Sequence, residues 1–244
     1  MYKYIKGIIA SCLELLYPKR CACCDKVLLK IEKDVGFCKA CAKNVKLVGD
    51  SYCMKCGCPL TDNSKELCQN CKETNHGFDK HKAVFRYEKY MKQAIYKFKY
   101  ANRRCLGKVF AKHAVKSYGG WLDLINVDAI VPVPMYKPKE KRRGYNQAAV
   151  FAKALSEETG IPVYDKIVRR KRDTVAMKQL NKLKRKKNLL KSFTLEENVV
   201  QFRKVLIVDD IYTTGTTMDE VARLLKRGGV KEVYGMSICI GSVQ

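Results

Sequence analysis

The sequence lacks an uninterrupted apolar run long enough to cross a membrane. Its apolar stretch at residues 4–16 is broken by Lys6 and Glu14, and it is shorter than the roughly 20 residues that a spanning helix needs. No small-residue cleavage site follows it, which argues against a secretory signal peptide. We therefore expect no transmembrane segment and predict a helix over residues 1–20. This helix either packs on the segment that follows, which we favour, or lies at a membrane surface.

Acidic residues are scarce as well. The 244-residue chain holds 24 acidic residues against 49 basic ones, which gives a formal net charge of +25. Such an excess favours polyanionic partners, namely nucleic acid, nucleotides or an anionic membrane surface, over a basic surface without a partner. Hydrophobic residues make up 47% of the chain and aromatic residues 9%. This composition allows a sizeable buried core and argues against intrinsic disorder.

Cysteine, by contrast, is abundant. Of 13 cysteines, eight form four Cys-x-x-Cys pairs within residues 21–71. This spacing is typical of metal ligands and not of disulfides, because each pair places two thiolates on one side of a tight turn. Thiolates need reducing conditions, so we expect a cytoplasmic protein. Two closed, non-catalytic sites for structural zinc would be formed by Cys21, Cys24, Cys38, Cys41, Cys53, Cys56, Cys68 and Cys71.

The pairing of these cysteines has two solutions. Sequential blocks give two separate ribbons, which we favour, whereas interleaved blocks give a cross-braced module. Gly57, directly after Cys56, allows the backbone to turn beneath the metal. The remaining cysteines break the spacing: we expect Cys23 and Cys58 to be spare, and Cys12, Cys105 and Cys239 to be small buried residues.

Beyond the cysteines, strand and helix patterns alternate. Short apolar runs predict strands over 127–133, 163–168, 204–210 and 232–240, and helical spacing predicts helices over 146–160 and 218–229. This alternation indicates an α/β fold with a mainly parallel sheet flanked by helices. We assign a double zinc ribbon to 21–74, a polar boundary to 74–82, and to 83–244 an α/β domain with a core of its own.

The most specific chemistry lies in KVLIVDDIYTTGTT, residues 204–217. A buried strand ends on Asp209 and Asp210, at the carboxyl edge where ligands of open α/β sheets bind. The next loop and the start of the following helix can cradle a phosphate through backbone N–H groups, while the carboxylates suit ribose hydroxyls or magnesium. The alternative is a turn whose hydroxyls only cap a helix. The loop residues are Thr213, Thr214, Gly215, Thr216 and Thr217.

The stretch Val205–Thr217 resembles the phosphoribosyl diphosphate signature of type I phosphoribosyltransferases. The chain more widely resembles the ComF family, through ELLYPKRCACC at 14–24, VPVPMYKPKEKRRGYNQA at 131–148 and the stretch from RKRDT to Phe193. The resemblance implies a type I phosphoribosyltransferase-like fold behind a double zinc ribbon. It also implies that Asp209 and Asp210 hold the ribose hydroxyls of phosphoribosyl diphosphate, with magnesium, and that residues 213–217 bind its 5′-phosphate.

Two further positions bear on this ligand. Arg143 ends a basic loop after the strand at 127–133, where transferases of this type carry their pyrophosphate loop. A guanidinium group there can neutralise a diphosphate, so we expect Arg143 to contact it. Met177 stands where the ComF family usually has a glutamine, which puts a polar contact from that loop in question.

Basic residues are concentrated in the second half of the chain. Residues 136–187 hold 17 Lys or Arg against 5 acidic residues, and residues 87–104 interleave Tyr and Phe with Lys and Arg. Charges of this kind meet phosphates and aromatic rings stack on unpaired bases. Within 87–104 alone we favour a core stripe formed by Ile95 and Phe98. Together with the run Lys184–Lys187 and the net charge, these regions predict weak, non-specific binding of single-stranded DNA.

Three classes of function fit the sequence. The first, which we favour, is a ComF-like protein that binds phosphoribosyl diphosphate and single-stranded DNA, because ComF relatives are associated with natural transformation. The second is an active phosphoribosyltransferase on an unidentified acceptor; its catalytic residues are unknown, and His76, His81 and His113 lie outside the motif. The third is an adaptor whose ribbons bind a competence helicase or another partner.

Overall fold

A computed structural model describes residues 17–171 and 192–241 of the chain. Residues 17–20, the described end of the predicted first helix, are not helical, and Arg20 forms a β-bridge with Val27. In the two described ranges, no helix has both the length and the apolar character needed to cross a membrane. Other predictions lie outside these ranges: residues 1–16 of the first helix, Cys12, Met177 and the run Lys184–Lys187.

The two cysteine blocks repeat one local fold. A β-bridge closes the first turn of each block, between Arg20 and Val27 or between Tyr52 and Pro59. The third cysteine of each block stands at the N-cap of a short helix, which carries the fourth cysteine into the interior. These helices are α1 (Lys39–Ala42) and α2 (Gln69–Glu73), and a 3-10 turn at Lys30–Glu32 precedes α1.

The described strands are β1 (Lys80–Arg86), β2 (Ala129–Pro132), β3 (Val168–Arg170), β4 (Phe193–Leu195), β5 (Lys204–Tyr212) and β6 (Glu232–Ile240). Four of them form a central parallel sheet in the spatial order β1-β6-β5-β2, and β3 and β4 form a separate antiparallel pair. The predicted strands at 204–210 and 232–240 are confirmed, but the first of them continues to Tyr212. The acidic pair therefore lies inside the strand and not at its end.

Other strands differ from the predictions, and β4, like β1, has no predicted counterpart. The predicted strand at 163–168 is wrong as a continuous element, because only Val163 bridges to β2 and Val168 already belongs to β3. Strand β1 was not predicted, and it begins inside the segment 74–82 that we assigned to a boundary.

Within the described ranges, five helices accompany the sheet. The predicted helix at 146–160 is confirmed: the Asn146 side chain accepts a hydrogen bond from Ala148 N–H at its start, and Gly160 ends it with a φ of 76°. The basic segment before Arg143 was predicted as a loop but forms a helix, with a proline in its first turn. These helices are α3 (Lys89–Tyr100), α4 (Leu106–Ile125), α5 (Lys137–Arg143), α6 (Gln147–Thr159) and α7 (Thr216–Arg227).

Each cysteine block shares a hydrophobic core with one face of the sheet. Leu206 and Val208 of β5 belong to the cluster that contains Cys21, Phe85 and Phe98. The alternate residues of β5, such as Ile207, have side chains on the other face of the sheet. They belong to a second cluster, which contains the cysteines of the second block. The cysteines of both blocks are therefore buried against the strands of the α/β part.

Candidate phosphate site and zinc centres

The eight predicted metal ligands form two clusters, and the pairing is sequential. One cluster contains Cys21, Cys24, Cys38 and Cys41 and the other Cys53, Cys56, Cys68 and Cys71, with the sulfurs of each lying within 4.8 Å of one another. The Sγ–Sγ distances of Cys24–Cys38 and Cys56–Cys68 are both 3.7 Å. A tetrahedral zinc ion at about 2.3 Å from each sulfur keeps its ligands about 3.8 Å apart. Both clusters therefore fit structural zinc.

The other cysteines follow the predictions only in part. Cys23 and Cys58 are buried beside the clusters and belong to neither, as expected for spare thiols. Cys239 is buried in the core, but Cys105 is exposed, so its prediction as a buried residue is wrong. It stands in the turn immediately before α4.

The turn beneath each cluster needs a left-handed residue after its second cysteine. Gly57 fills this position in the second cluster, with a φ of 72°, as the sequence predicted. In the first cluster the same position is taken by Asp25, with a φ of 63°, a conformation that aspartate tolerates better than most residues. The Asp25 carboxylate pairs with Lys97 at 2.5 Å and with Arg103 at 3.0 Å, which ties the first cluster to α3 and to the turn after it.

The two carboxylates of the acidic pair contact different parts of the molecule. Asp209 lines a small pocket together with residues 211–218. Asp210 pairs instead with Lys99 of α3, and the distance from Lys99 Nζ to its carboxylate is 2.8 Å. The structure thus adds Lys99 to the site, a residue that no sequence motif indicated.

The environment of Asp209 disfavours its negative charge. Burial, followed by the neighbouring carboxylate of Asp210, raises the pKa of Asp209 to about 7. The backbone N–H of Asp210 donates to Asp209 Oδ1 at 2.8 Å and offsets part of this effect. A cation bound beside the pair would stabilise the ionised carboxylate.

The loop after β5 leads directly into α7. Gly215 is the N-cap residue of this helix, with a φ of 78°, and a Cβ atom there would overlap Tyr212 Oη. Thr213 and Thr214 are exposed, and Thr214 Oγ1 lies 2.8 Å from Thr216 Oγ1. The first N–H groups of a helix have no intrahelical partner and favour an anion. The pocket therefore combines a helix N-terminus, hydroxyl groups and a carboxylate.

Buried polar side chains lie against the inner side of the loop at residues 213–217. His76 Nδ1 lies 2.9 Å from the carboxylate of Asp219, which also accepts from Gly77 N–H at 2.8 Å. The other ring nitrogen, His76 Nε2, and Tyr212 Oη are buried without a hydrogen-bond partner among the described protein atoms. The sequence placed His76 outside the motif, yet its Cε1 would lie 3.2 Å from a Cβ atom at Gly215.

Arg143 lies beside α3 in the structure. Its guanidinium stacks 4.8 Å from the ring centroid of Tyr100 and donates to Gln147 Oε1 at 2.8 Å. Tyr100 directly follows Lys99, the partner of Asp210. The structure thus brings Asp209 and residues 213–217 together around one pocket, and Arg143 is not among the residues that line it.

Comparison with known proteins agrees with this two-part architecture. Residues 145–241 match the family described as phosphoribosyl transferase domain, and residues 12–72 match the double zinc ribbon domain. The second match includes both four-cysteine clusters. The first includes β5, the acidic pair and the loop that opens α7.

Relatives are similar over most of their length. Competence protein F of Haemophilus influenzae is 33% identical, with 81% of this chain and 87% of that protein covered. DNA utilization protein YhgH of Escherichia coli K12 is 30% identical, with coverage of 84% and 90%. Competence protein ComFC of Streptococcus pneumoniae is 27% identical, with coverage of 88% and 92%. The chain therefore belongs to the ComF family, in which a double zinc ribbon precedes a phosphoribosyltransferase-type domain.

Proposed function

We propose that the protein binds 5-phosphoribosyl diphosphate with magnesium at the N-terminus of α7 and binds single-stranded DNA in DNA uptake. The observation that carries the first part is the geometry of Gly215. This residue is buried, left-handed and N-terminal to a 12-residue helix, beside a strand that carries two adjacent carboxylates. Such a loop places backbone N–H groups where a 5′-phosphate would bind.

The remaining groups of the ligand match the charges around the loop. Asp209 and Asp210 offer oxygen acceptors to the ribose hydroxyls or to magnesium. Binding at Asp210 would displace or share Lys99, which holds its carboxylate at 2.8 Å. A diphosphate also requires positive charge, which Lys99 would supply. Arg143, whose guanidinium donates to Tyr100 Oη, would add a second positive charge nearby.

The replacement Asp210→Asn tests this site because it removes one charge and nearly keeps the shape. We expect affinity for 5-phosphoribosyl diphosphate with magnesium to fall by roughly 1–3 kcal/mol, the usual cost of losing a charge-assisted hydrogen bond. Titration calorimetry measures the change. Asp123→Asn, an exposed carboxylate on α4, is the matched control and should bind like the wild type. Equal affinities for all three proteins would refute the assignment of the acidic pair.

Support for the nucleic-acid partner comes from the outer face of α3. The inner face is the predicted core stripe, since Ile95 and Phe98 are buried. The outer face exposes Tyr96 and Tyr100, at 64% and 62% of their surface, with ring centroids 5.1 Å apart. Arg143 stacks on the second ring. Exposed aromatic rings beside basic groups form the stacking surfaces that single strands use.

Helix α3, which carries this surface, contacts both the first zinc ribbon and the acidic pair of β5. Lys97 of α3 donates to the carbonyl oxygen of Cys23 in the first ribbon at 2.6 Å, and Lys99 reaches Asp210. A groove between α3 and the first ribbon is lined by residues that include Lys92 and Tyr96. We infer that a single strand would lie along α3.

The names of the relatives, competence and DNA utilization proteins, support a role in DNA uptake. The zinc-binding thiolates support a cytoplasmic location.

The double replacement Tyr96→Ala and Tyr100→Ala tests the DNA surface. Stacking contributes about 1–3 kcal/mol per base, so affinity for a labelled oligothymidylate should fall at least about tenfold at low ionic strength. Fluorescence anisotropy measures this, with Tyr17→Ala, another exposed tyrosine, as the control. Binding by the wild type should also weaken steeply with salt, because counterion release drives it. Salt-independent binding, or an unchanged affinity of the double variant, would contradict the assignment.

A further inference from the structure

A histidine of β1 contacts the turn of the second zinc centre. His81 donates from its backbone N–H to Lys55 O at 2.8 Å and contacts Cys56 O through Nδ1 at 2.7 Å. Because a carbonyl oxygen only accepts, Nδ1 carries the proton, and Nε2 is left to accept from Ser237 Oγ at 2.9 Å. Gly57 lies so close to this strand that a Cβ atom there would stand 2.8 Å from His81 O.

The ring of Tyr212 lies between His81 and the loop at residues 213–217, which we call the phosphate loop. The centroid of the His81 ring lies 4.3 Å from that of Tyr212, and Tyr212 Oη is the atom that a Cβ at Gly215 would overlap. Ser237, the other partner of His81, is the neighbour of Asp209 across the sheet. The side chains of His81, Tyr212 and Ser237 are buried. A short, closely packed path therefore runs from the turn of the second zinc centre to the floor of the loop.

The first zinc centre has different neighbours. Its cluster contacts α3 through Lys97, and Val35 O lies 2.8 Å from His113 Nε2 of α4. A Cβ atom at Gly36 would overlap the Val109 side chain of α4. These contacts lie on the face of the sheet opposite the cluster that contains Tyr212 and the second block of cysteines.

We propose that the second zinc ribbon positions the phosphate loop, so that the integrity of this ribbon sets the affinity for the phosphoribosyl ligand. This inference rests on the proposed function, because it concerns the same loop. It assigns different roles to the two glycine turns: the turn at Gly57 orders His81 and Tyr212 beneath Gly215, whereas the turn at Gly36 packs on Val109 of α4, a helix that carries no residue of the proposed ligand site. His81 and Tyr212 act as positioning residues that do not touch the ligand.

A matched pair of glycine replacements separates these roles without removing a zinc ligand. Gly57→Ala and Gly36→Ala both place a side chain at a left-handed position, with φ of 72° and 76°. The Cβ atom of Gly57→Ala would collide with a backbone atom of β1, the carbonyl oxygen of His81. The Cβ atom of Gly36→Ala would instead collide with the Val109 side chain. We expect Gly57→Ala to lower affinity for 5-phosphoribosyl diphosphate with magnesium at least about tenfold, and Gly36→Ala to stay within about twofold of wild type. Calorimetry and zinc analysis are run on the same samples. Equal affinities for the two variants would overturn the proposal.

A second measurement uses the unaltered protein and does not depend on how the variants fold. Coupling between two sites is reciprocal in binding free energy, so the ligand should raise the zinc affinity of one centre. We expect one of the two zinc equivalents to require at least about tenfold more of a competing chromogenic chelator for its removal at equilibrium when 5-phosphoribosyl diphosphate is saturating. Gly215→Val protein corrects for metal binding by the ligand itself. Identical equilibrium chelator titrations with and without ligand would overturn the proposal. A wild type that does not bind the ligand in calorimetry would instead refute the proposed function.

Discussion

The replacement Gly215→Val is expected to weaken the binding of 5-phosphoribosyl diphosphate severely. Gly215 adopts a φ of 78°, and any Cβ there would overlap Tyr212 Oη and lie 2.8 Å from its Cζ atom. A β-branched residue is strained in this conformation and would also push the loop away from its floor. We expect affinity to fall at least about 100-fold, or about 2.8 kcal/mol at 1.4 kcal/mol per tenfold.

A second glycine provides the control for this effect. Gly160, which ends α6, has a φ of 76°, and a Cβ atom at this position would have no neighbour within 4 Å among the described residues. Gly160→Val therefore carries similar backbone strain without the overlap, and it should bind the ligand like the wild type while losing some stability. Calorimetry of both variants measures the difference. If Gly215→Val binds with wild-type affinity, the phosphate site lies elsewhere.

The replacement Cys21→Ser is expected to remove one zinc equivalent per chain and to destabilise the sheet as well as the ribbon. Cys21 is fully buried and shares its cluster with Phe85 of β1 and Phe98 of α3. A structural zinc supplies folding free energy on the order of 10 kcal/mol in isolated zinc fingers. Its loss should therefore lower the unfolding temperature of the whole protein, in a single transition.

The exposed thiol of Cys105 supplies the control, since it is not a zinc ligand. Cys105→Ser should keep two zinc equivalents and the wild-type unfolding temperature. Metal analysis and thermal unfolding, on freshly purified protein, measure both properties. Two zinc equivalents in Cys21→Ser, or an α/β part that unfolds at the wild-type temperature, would contradict the shared core.

Local patterns made the two four-cysteine clusters and the loop between β5 and α7 predictable from sequence. A Cys-x-x-Cys turn places both of its thiolates through a few backbone torsions, so spacing alone indicates the ligands. Strand β5 was equally clear, because the run VLIV at 205–208 is buried on both faces. The helix at 146–160 followed from its spacing and from the glycine at its end.

The supports of the site could not be predicted, because they depend on contacts between distant parts of the chain. His76 contacts Asp219 across 143 positions, and His81 contacts Ser237 across 156. Strand β1 begins with the polar residues KHK at 80–82, and the second ribbon contacts His81 and Lys82, which are both buried. Lys82 illustrates the reason: its ammonium group lies over the Tyr52 ring of that ribbon, 3.6 Å from the centroid.

Calorimetric titration of the wild-type protein with 5-phosphoribosyl diphosphate, in the presence and absence of magnesium, tests the central claim most directly. We predict saturable binding at one site per chain, weakened when magnesium is omitted and accompanied by no loss of zinc. Absence of saturable binding, or equal binding by the Gly215→Val protein, would contradict this assignment.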